Sequence, residues 1–297
     1  MIIRFYIEYW LLLATVFVIR TVPFKAAVWI AQALADFAFD VLKIRIKVTT
    51  ENLKTAFGNK MTDEQIKVLA KKVYRNFMVT SMEFIRIPNM TYDEVRAMTT
   101  IVGVEHLEKG LKRGKGIILV ACHYGNWEMM GTAIRANGYP ITYIDGEQKN
   151  IFVEKFITNN RIKSGIKLIA RKNALRGVIK TVKNNEILAL LSDQNAGPEG
   201  VFVDFFGKPA STPQGAAAFV LKTGASMVLA YNVPSDDRKH NTVYLETIEI
   251  NPTGNQEKDI FTITETFSKK FEKFIAEKPE HYFWLHRKWK SRPPQES

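Results

Sequence analysis

Of the 297 residues, 46% are hydrophobic and 24% are charged, with 17 Gly and 11 Pro. That balance excludes a disordered, collagen-like or coiled-coil chain and fits one large folded unit with an extension. Lys and Arg total 42 against 30 Asp and Glu, a net charge of +12, which attracts phosphate-bearing partners: nucleic acid, an anionic membrane or an acidic cofactor. The single Cys122 excludes an intramolecular disulfide framework, and five scattered histidines without an HExxH spacing argue against a metal site.

At the amino terminus, fifteen residues between Arg4 and Arg20 are apolar except for Glu8, fewer than the roughly 20 that cross a bilayer unaided. A cleaved signal peptide, a marginal anchor with snorkelling arginines and a helix covering the core all fit this segment. Residues 22–44 continue with Trp29, Ala33, Phe37 and Leu42 near helical spacing, so we read residues 1–50 as a retained, membrane-associating helical segment and 51–297 as the main domain.

Thr62 followed by Gln65 forms a capping box, and Ile66, Leu69, Val73 and Phe77 give the following helix an apolar stripe. From Gly116 the pattern changes to short apolar runs at 117–122, 141–144, 187–192 and 226–233, separated by helical stretches. This predicts an α/β fold with a mixed, largely buried sheet flanked by helices. Residues 242–250 alternate as a strand with one wet face would. Ser211 and Thr212 before Pro213 predict a helix start with Gly224 as its stop, and a last helix spans about 259–278.

The first buried run ends in Ala121-Cys122-His123, and Glu128 completes an HxxxxE spacing at a strand-to-helix junction. Strand carboxyl ends face the ligand crevice in open α/β sheets, so His123 is a candidate general base and Glu128 its orienting carboxylate, with Asn126 between them as a substrate contact. Such a pair lacks an amino-acid nucleophile and suits attack by the substrate's own hydroxyl. Cys122 points to the opposite face, into the core. Asp193 and Gln194 also follow a buried run and reach the crevice rim.

Nine basic residues and no acid occupy 155–185. Either this is a solvated face or it meets phosphate, and Arg161 and Arg171 are the candidates because guanidinium binds phosphate bidentately. The closing WLHRKWK, with Trp284 and Trp289 beside Arg287, Lys288 and Lys290, suggests an interfacial belt or core packing. No nucleic-acid-binding motif is present.

HxxxxE, Ser192-Asp193-Gln194, GPEGVFVDFFGKPASTPQG at 197–215, HYFWLHRKWK at 281–290 and Asn52-Leu53-x-x-Ala56-Phe57 together resemble the late acyltransferases of lipid A biosynthesis. These are bacterial lauroyl and myristoyl enzymes within the lysophospholipid acyltransferase superfamily. Pro198-Glu199-Gly200 only partly echoes the glycerolipid branch. The resemblance implies transfer of a fatty acyl group from an acyl-carrier-protein or coenzyme A thioester to a hydroxyl of a phosphorylated glycolipid, at the cytoplasmic face of the inner membrane, without a cofactor. It also implies Asp204 near the acceptor and Phe205 or Phe206 along an acyl-chain wall, while the alternation between Gly200 and Gly207 equally fits a hairpin with a core aromatic face. Oxyanion donors are sought near Gly125 or Arg171. The alternatives are an acyltransferase for a lysophospholipid or another glycolipid, and a non-catalytic basic protein binding membrane or nucleic acid.

Overall fold

The computed structural model describes residues 2–146 and 148–293. Five helices open the chain: α1 (Ile2–Thr21), α2 (Phe24–Asp40), α3 (Ile46–Phe57), α4 (Asp63–Arg86) and α5 (Tyr92–Ala97). Pro23 separates the first two, since its fixed φ and missing N–H suit a helix start and not an interior. The capping box at Thr62 forms as predicted: Gln65 N donates to Thr62 Oγ1 at 3.3 Å and Thr62 N to Gln65 Oε1 at 2.8 Å.

The helix predicted within residues 22–44 forms as α2, with its bulky apolar stripe facing outward. Trp29 is 69% exposed and Phe37 50%, while Ala27, Ala31, Ala35 and Phe39 are buried. Alanine at every fourth position lets α2 lie close against α4, and that small-residue face outcompetes the bulkier one for the core.

Next come β1 (Thr99–Val102), α6 (Val104–Lys112), β2 (Ile117–Ala121), α7 (Trp127–Ala136), β3 (Ile141–Ile144), α8 (Ile151–Lys163), β4 (Lys167–Ile169), α9 (Ala174–Lys183) and β5 (Ile187–Leu191). The remainder is β6 (Val201–Phe205), β7 (Lys208–Thr212), α10 (Gly215–Thr223), β8 (Ser226–Pro234), β9 (Asn241–Ile248) and α11 (Gln256–Glu277). Seven strands form one mixed sheet in the order β1-β9-β8-β2-β5-β3-β4, parallel throughout except between β8 and β9. The mixed, helix-flanked α/β fold anticipated from the sequence is therefore the fold of the chain.

All five residues of β2 are buried, because helices cover both faces of this central strand. One apolar cluster lies on each side of the sheet, and a third joins α1, α2 and α4 through Val16, Ile19, Ala27, Ala31, Val79 and Met82. β6 and β7 form a separate antiparallel hairpin. Ser211 and Thr212 belong to β7 and not to a helix start; α10 begins at Gly215, after Pro213 has ended the strand. No described helix is long and apolar enough to cross a membrane.

Candidate active site

Two adjacent parallel strands deliver the principal side chains. Ala121 on β2 pairs with Leu191 on β5, and His123 and Asp193 each lie two residues beyond that pair. Matched register therefore brings an imidazole and a carboxylate to the same end of the sheet, where His123 Nδ1 lies 2.8 Å from Asp193 Oδ1. An ionised carboxylate only accepts hydrogen bonds, so the Nδ1 proton is fixed by Asp193 and Nε2 is the unprotonated nitrogen of the neutral ring. Asp193 is buried, which alone would raise its carboxyl; the charge and hydrogen bond of His123, aided by Lys288, outweigh burial and hold it below the usual range. Gln194 approaches His123 Nε2 at 3.5 Å, and the Trp127 ring meets the imidazole edge-on at 5.1 Å between centroids.

The carboxylate on His123 is thus Asp193, in place of the Glu128 expected from HxxxxE. Glu128, in the first turn of α7, is taken by Arg161 of α8: Nη2 to Oε1 is 2.6 Å, and Nε reaches both carboxylate oxygens at 3.2 Å. Asp145 stands 3.6 Å from the same guanidinium, which also lies over the Tyr143 ring. Arg161 is therefore matched internally by two carboxylates, not free at a phosphate-facing surface. Arg171 is exposed in a short 3-10 turn after β4 and is not among the residues lining the cavity.

These groups line a cavity of about 430 Å³ at the carboxyl ends of β2, β3 and β5. His123, Glu128, Arg161 and Gln194 make one wall polar, while Met130, Ile144, Ile157, Leu190 and Leu191 make the rest apolar. A site built this way accepts an amphiphile, with a polar reacting group at the imidazole and a hydrocarbon along the walls.

The loop carrying His123 is held from behind. Asn126 caps α7 by accepting from Met129 N at 2.8 Å, and its amide donates to Glu83 Oε2 at 2.7 Å. Glu83 in turn forms a buried pair with Arg238, whose Nε and Nη2 lie 3.0 and 3.1 Å from its two oxygens. Asn126 is wholly buried in this network, so it is a cap and not the substrate contact expected of it. The amides near Gly125 are engaged as well, Gly125 N by His281 O and Asn126 N by Asn232 Oδ1, which removes them as oxyanion donors.

Residues 281–291 cross the site as a strap. Phe283 N donates to His123 O at 3.0 Å, His286 Nε2 accepts from Asn195 N at 2.7 Å, and Lys288 O accepts from Asn195 Nδ2 at 3.1 Å. Trp284 and Lys288 are buried, so only Trp289, Arg287 and Lys290 of the expected belt remain toward solvent. The β6–β7 block forms the hairpin with a core aromatic face, and not the acceptor and acyl-chain contacts that the resemblance implied. Phe205 is core, Phe206 packs on Phe57 and Trp284, and Asp204 pairs with Lys269. Their partners lie on the strap, α3 and α11, and none of the three residues lines the His123 cavity.

The profile of the bacterial lipid A biosynthesis acyltransferases matches residues 2–291. The chain belongs to that family. It is 26% identical over 289 residues to the lipid A biosynthesis lauroyltransferase of Escherichia coli, covering 96% of this chain and 92% of that one. It is 25% identical to the E. coli lipid A biosynthesis palmitoleoyltransferase, covering 93% and 88%. A phosphatidylinositol mannoside acyltransferase of Mycolicibacterium smegmatis is 24% identical over 211 residues, covering 70% and 67%. This member of the lipid A biosynthesis acyltransferases is accordingly an acyltransferase, and its reaction is sought at the His123–Asp193 end of the sheet.

Proposed function

We propose that the chain transfers a fatty acyl group from an acyl-carrier-protein or coenzyme A thioester to a hydroxyl of a lipid A precursor, at the cytoplasmic face of the inner membrane. The observation that carries this reading is the His123–Asp193 pair opening on an amphiphile-sized cavity. His123 Nε2 takes the proton of the acceptor hydroxyl as its oxygen attacks the thioester carbonyl. The tetrahedral oxyanion collapses, the carbon–sulfur bond breaks, and the imidazolium returns the proton to the departing thiolate. Asp193 fixes the tautomer and stabilises the imidazolium.

General-base assistance of this kind contributes about 10² to 10⁴ in rate, so positioning and oxyanion stabilisation supply the remainder. The first amides of α7, Trp127 and Glu128, have no partner among the described residues and stand at the positive end of the helix dipole, where an oxyanion is favoured. Glu128 and Arg161 form a rigid wall beside them. Arg171, exposed, is a candidate for an acceptor phosphate. Along α1, Ile3, Ile7, Trp10, Leu11 and Phe17 are exposed on one side, which favours a helix lying in the bilayer interface over one spanning it.

Mass spectrometry of a lipid A precursor incubated with the purified protein and an acyl thioester tests the reading. One acyl increment is expected, and none with His123→Ala. Acylation of a phosphatidylinositol mannoside but not of the lipid A precursor would favour the second reading, an acyltransferase of another glycolipid, which the mycobacterial relative supports.

A further inference from the structure

Residues 41–45, which join α2 to α3, and the first turn of α3 have an unusual composition for a surface turn. Val41, Leu42 and Ile44 are 61%, 54% and 49% exposed, and they alternate with Lys43, Arg45 and Lys47. Lys43 and Arg45 both adopt left-handed backbone, at φ 50° and 55°. Glycine is the unstrained residue at such helix-end positions, and a side chain retained there at a cost is one that is used. Arg45 is used in part by donating to Leu285 O at 2.9 Å, which ties the turn to the strap.

The turn borders a groove of about 920 Å³. Lys43, Arg45, Lys47 and Lys54 contribute from one side, and Lys208, Arg287 and Lys290 from the other, with Glu51 the one acid in the lining. Among the described residues, Lys43, Lys208, Arg287 and Lys290 have no carboxylate within 4.0 Å, the separation at which Lys47 meets Glu51. Lys54 is paired with Asp63 at 2.8 Å and Lys47 more loosely with Glu51, so the charge of the groove is carried mainly by Lys43, Arg45, Lys208, Arg287 and Lys290.

Building on the reading that this acyltransferase works at a bilayer, we propose that the groove binds the headgroups of anionic phospholipids, while Leu42 and Ile44 enter the acyl boundary beside it. It is a second membrane contact, separate from α1. Charge complementarity requires an anionic occupant, and the exposed aliphatics between the cations select among anions. A free phosphate gains nothing from Leu42 and Ile44, whereas a bilayer offers phosphates and hydrocarbon at adjacent depths. The outward face of α2, with Trp29 and Phe37, leads into the turn and extends the same apolar surface.

The test is co-sedimentation of the full-length protein, transferred from detergent, with vesicles of phosphatidylcholine alone or mixed with phosphatidylglycerol. Each lysine lost from the contact weakens binding to the anionic vesicles about fivefold at moderate salt, so Lys43→Gln/Lys47→Gln/Lys290→Gln is expected to lose about 10²-fold there and almost nothing on neutral vesicles. Lys258→Gln on α11 is expected to behave as wild type. Leu42→Ser/Ile44→Ser should weaken binding to both vesicle types, and if that variant misfolds the lysine variant decides alone. Wild-type affinity of the lysine variant for anionic vesicles overturns the proposal. So does unaltered vesicle binding accompanied by lost transfer from acyl-carrier protein but not from coenzyme A, which would assign the groove to an acidic protein. Vesicle binding is read without turnover, so failure of the acyl-transfer reading and failure of this one are distinguishable.

Discussion

His123 Nδ1 and Asp193 Oδ1 lie 2.8 Å apart at the ends of two hydrogen-bonded parallel strands, with the carboxylate the more deeply buried of the two. His123→Ala is expected to keep the fold and lower kcat/KM by at least about 10²-fold, and Asp193→Asn to fall in the same range. Because the two act as one unit, the double variant should be little worse than either single one. Initial rates of the purified variants, normalised to folded protein, check this; additive losses would separate the residues.

Glu128 and Arg161 form a second, distinct unit. A double-mutant cycle on Glu128→Gln and Arg161→Gln should return a coupling energy of about 1 to 3 kcal/mol in stability, as for groups in one hydrogen-bonded pair. Glu128→Gln should cost less in kcat/KM than Asp193→Asn, since Asp193 and not Glu128 hydrogen-bonds the imidazole. Equal losses would mean that Glu128 acts on His123 directly.

The buried Glu83–Arg238 pair stands behind Asn126, and burial pushes the Glu83 carboxyl up against the lowering influence of Arg238. Arg238→Met should cost about 3 to 5 kcal/mol, because it leaves an uncompensated buried carboxylate, whereas Glu83→Met/Arg238→Met should recover most of that loss. Urea unfolding of both variants is the measurement.

Gly125 adopts φ +59°, and a Cβ there would lie 2.0 Å from Asn232 O. Gly125→Ala therefore meets rigid backbone in a conformation that L residues avoid. We expect loss of the folded enzyme, or a destabilisation of about 3 kcal/mol or more, read as a drop in melting temperature.

His286 accepts a hydrogen bond from Asn195 N through Nε2, and burial lowers its pKa from 6.5 to about 4, with the nearby cations adding to the effect. Between these values the unfolded chain binds more protons than the folded one, so stability falls as the pH falls through that window. From pH 6.5 to 5 the loss reaches about 1 kcal/mol for this one, partly solvent-screened group. His286→Gln should flatten that part of the stability–pH curve, and an unchanged slope would assign the acid sensitivity elsewhere.

The strands were legible because a sheet buried on both faces demands uninterrupted apolar runs, as in Ile117–Ala121 and Ile187–Leu191. Thr62 and Gln65 announced a helix start because capping is local chemistry. The partner of His123 was not legible: Asp193 lies 70 residues away in sequence, and only the register between β2 and β5 makes it a neighbour. Its one trace was a polar pair directly after a buried run, the same signature that marks His123. Arg161 read as a surface cation because its carboxylates come from α7 and the end of β3. The helical spacing of α2 was legible, but which of its faces packs inward was not, because periodicity finds apolar faces without ranking them and a row of alanines packs closer than a row of aromatics.

The strap over the site bears on how the enzyme comes into being. His123 O, Gly125 N and Asn195 all find partners in residues 281–291, far along the chain from the loop that they brace. Contacts of such long sequence separation are reached only after the intervening chain has closed on itself, so the imidazole gains its brace as the whole α/β unit closes and not when its own strand and helix first form.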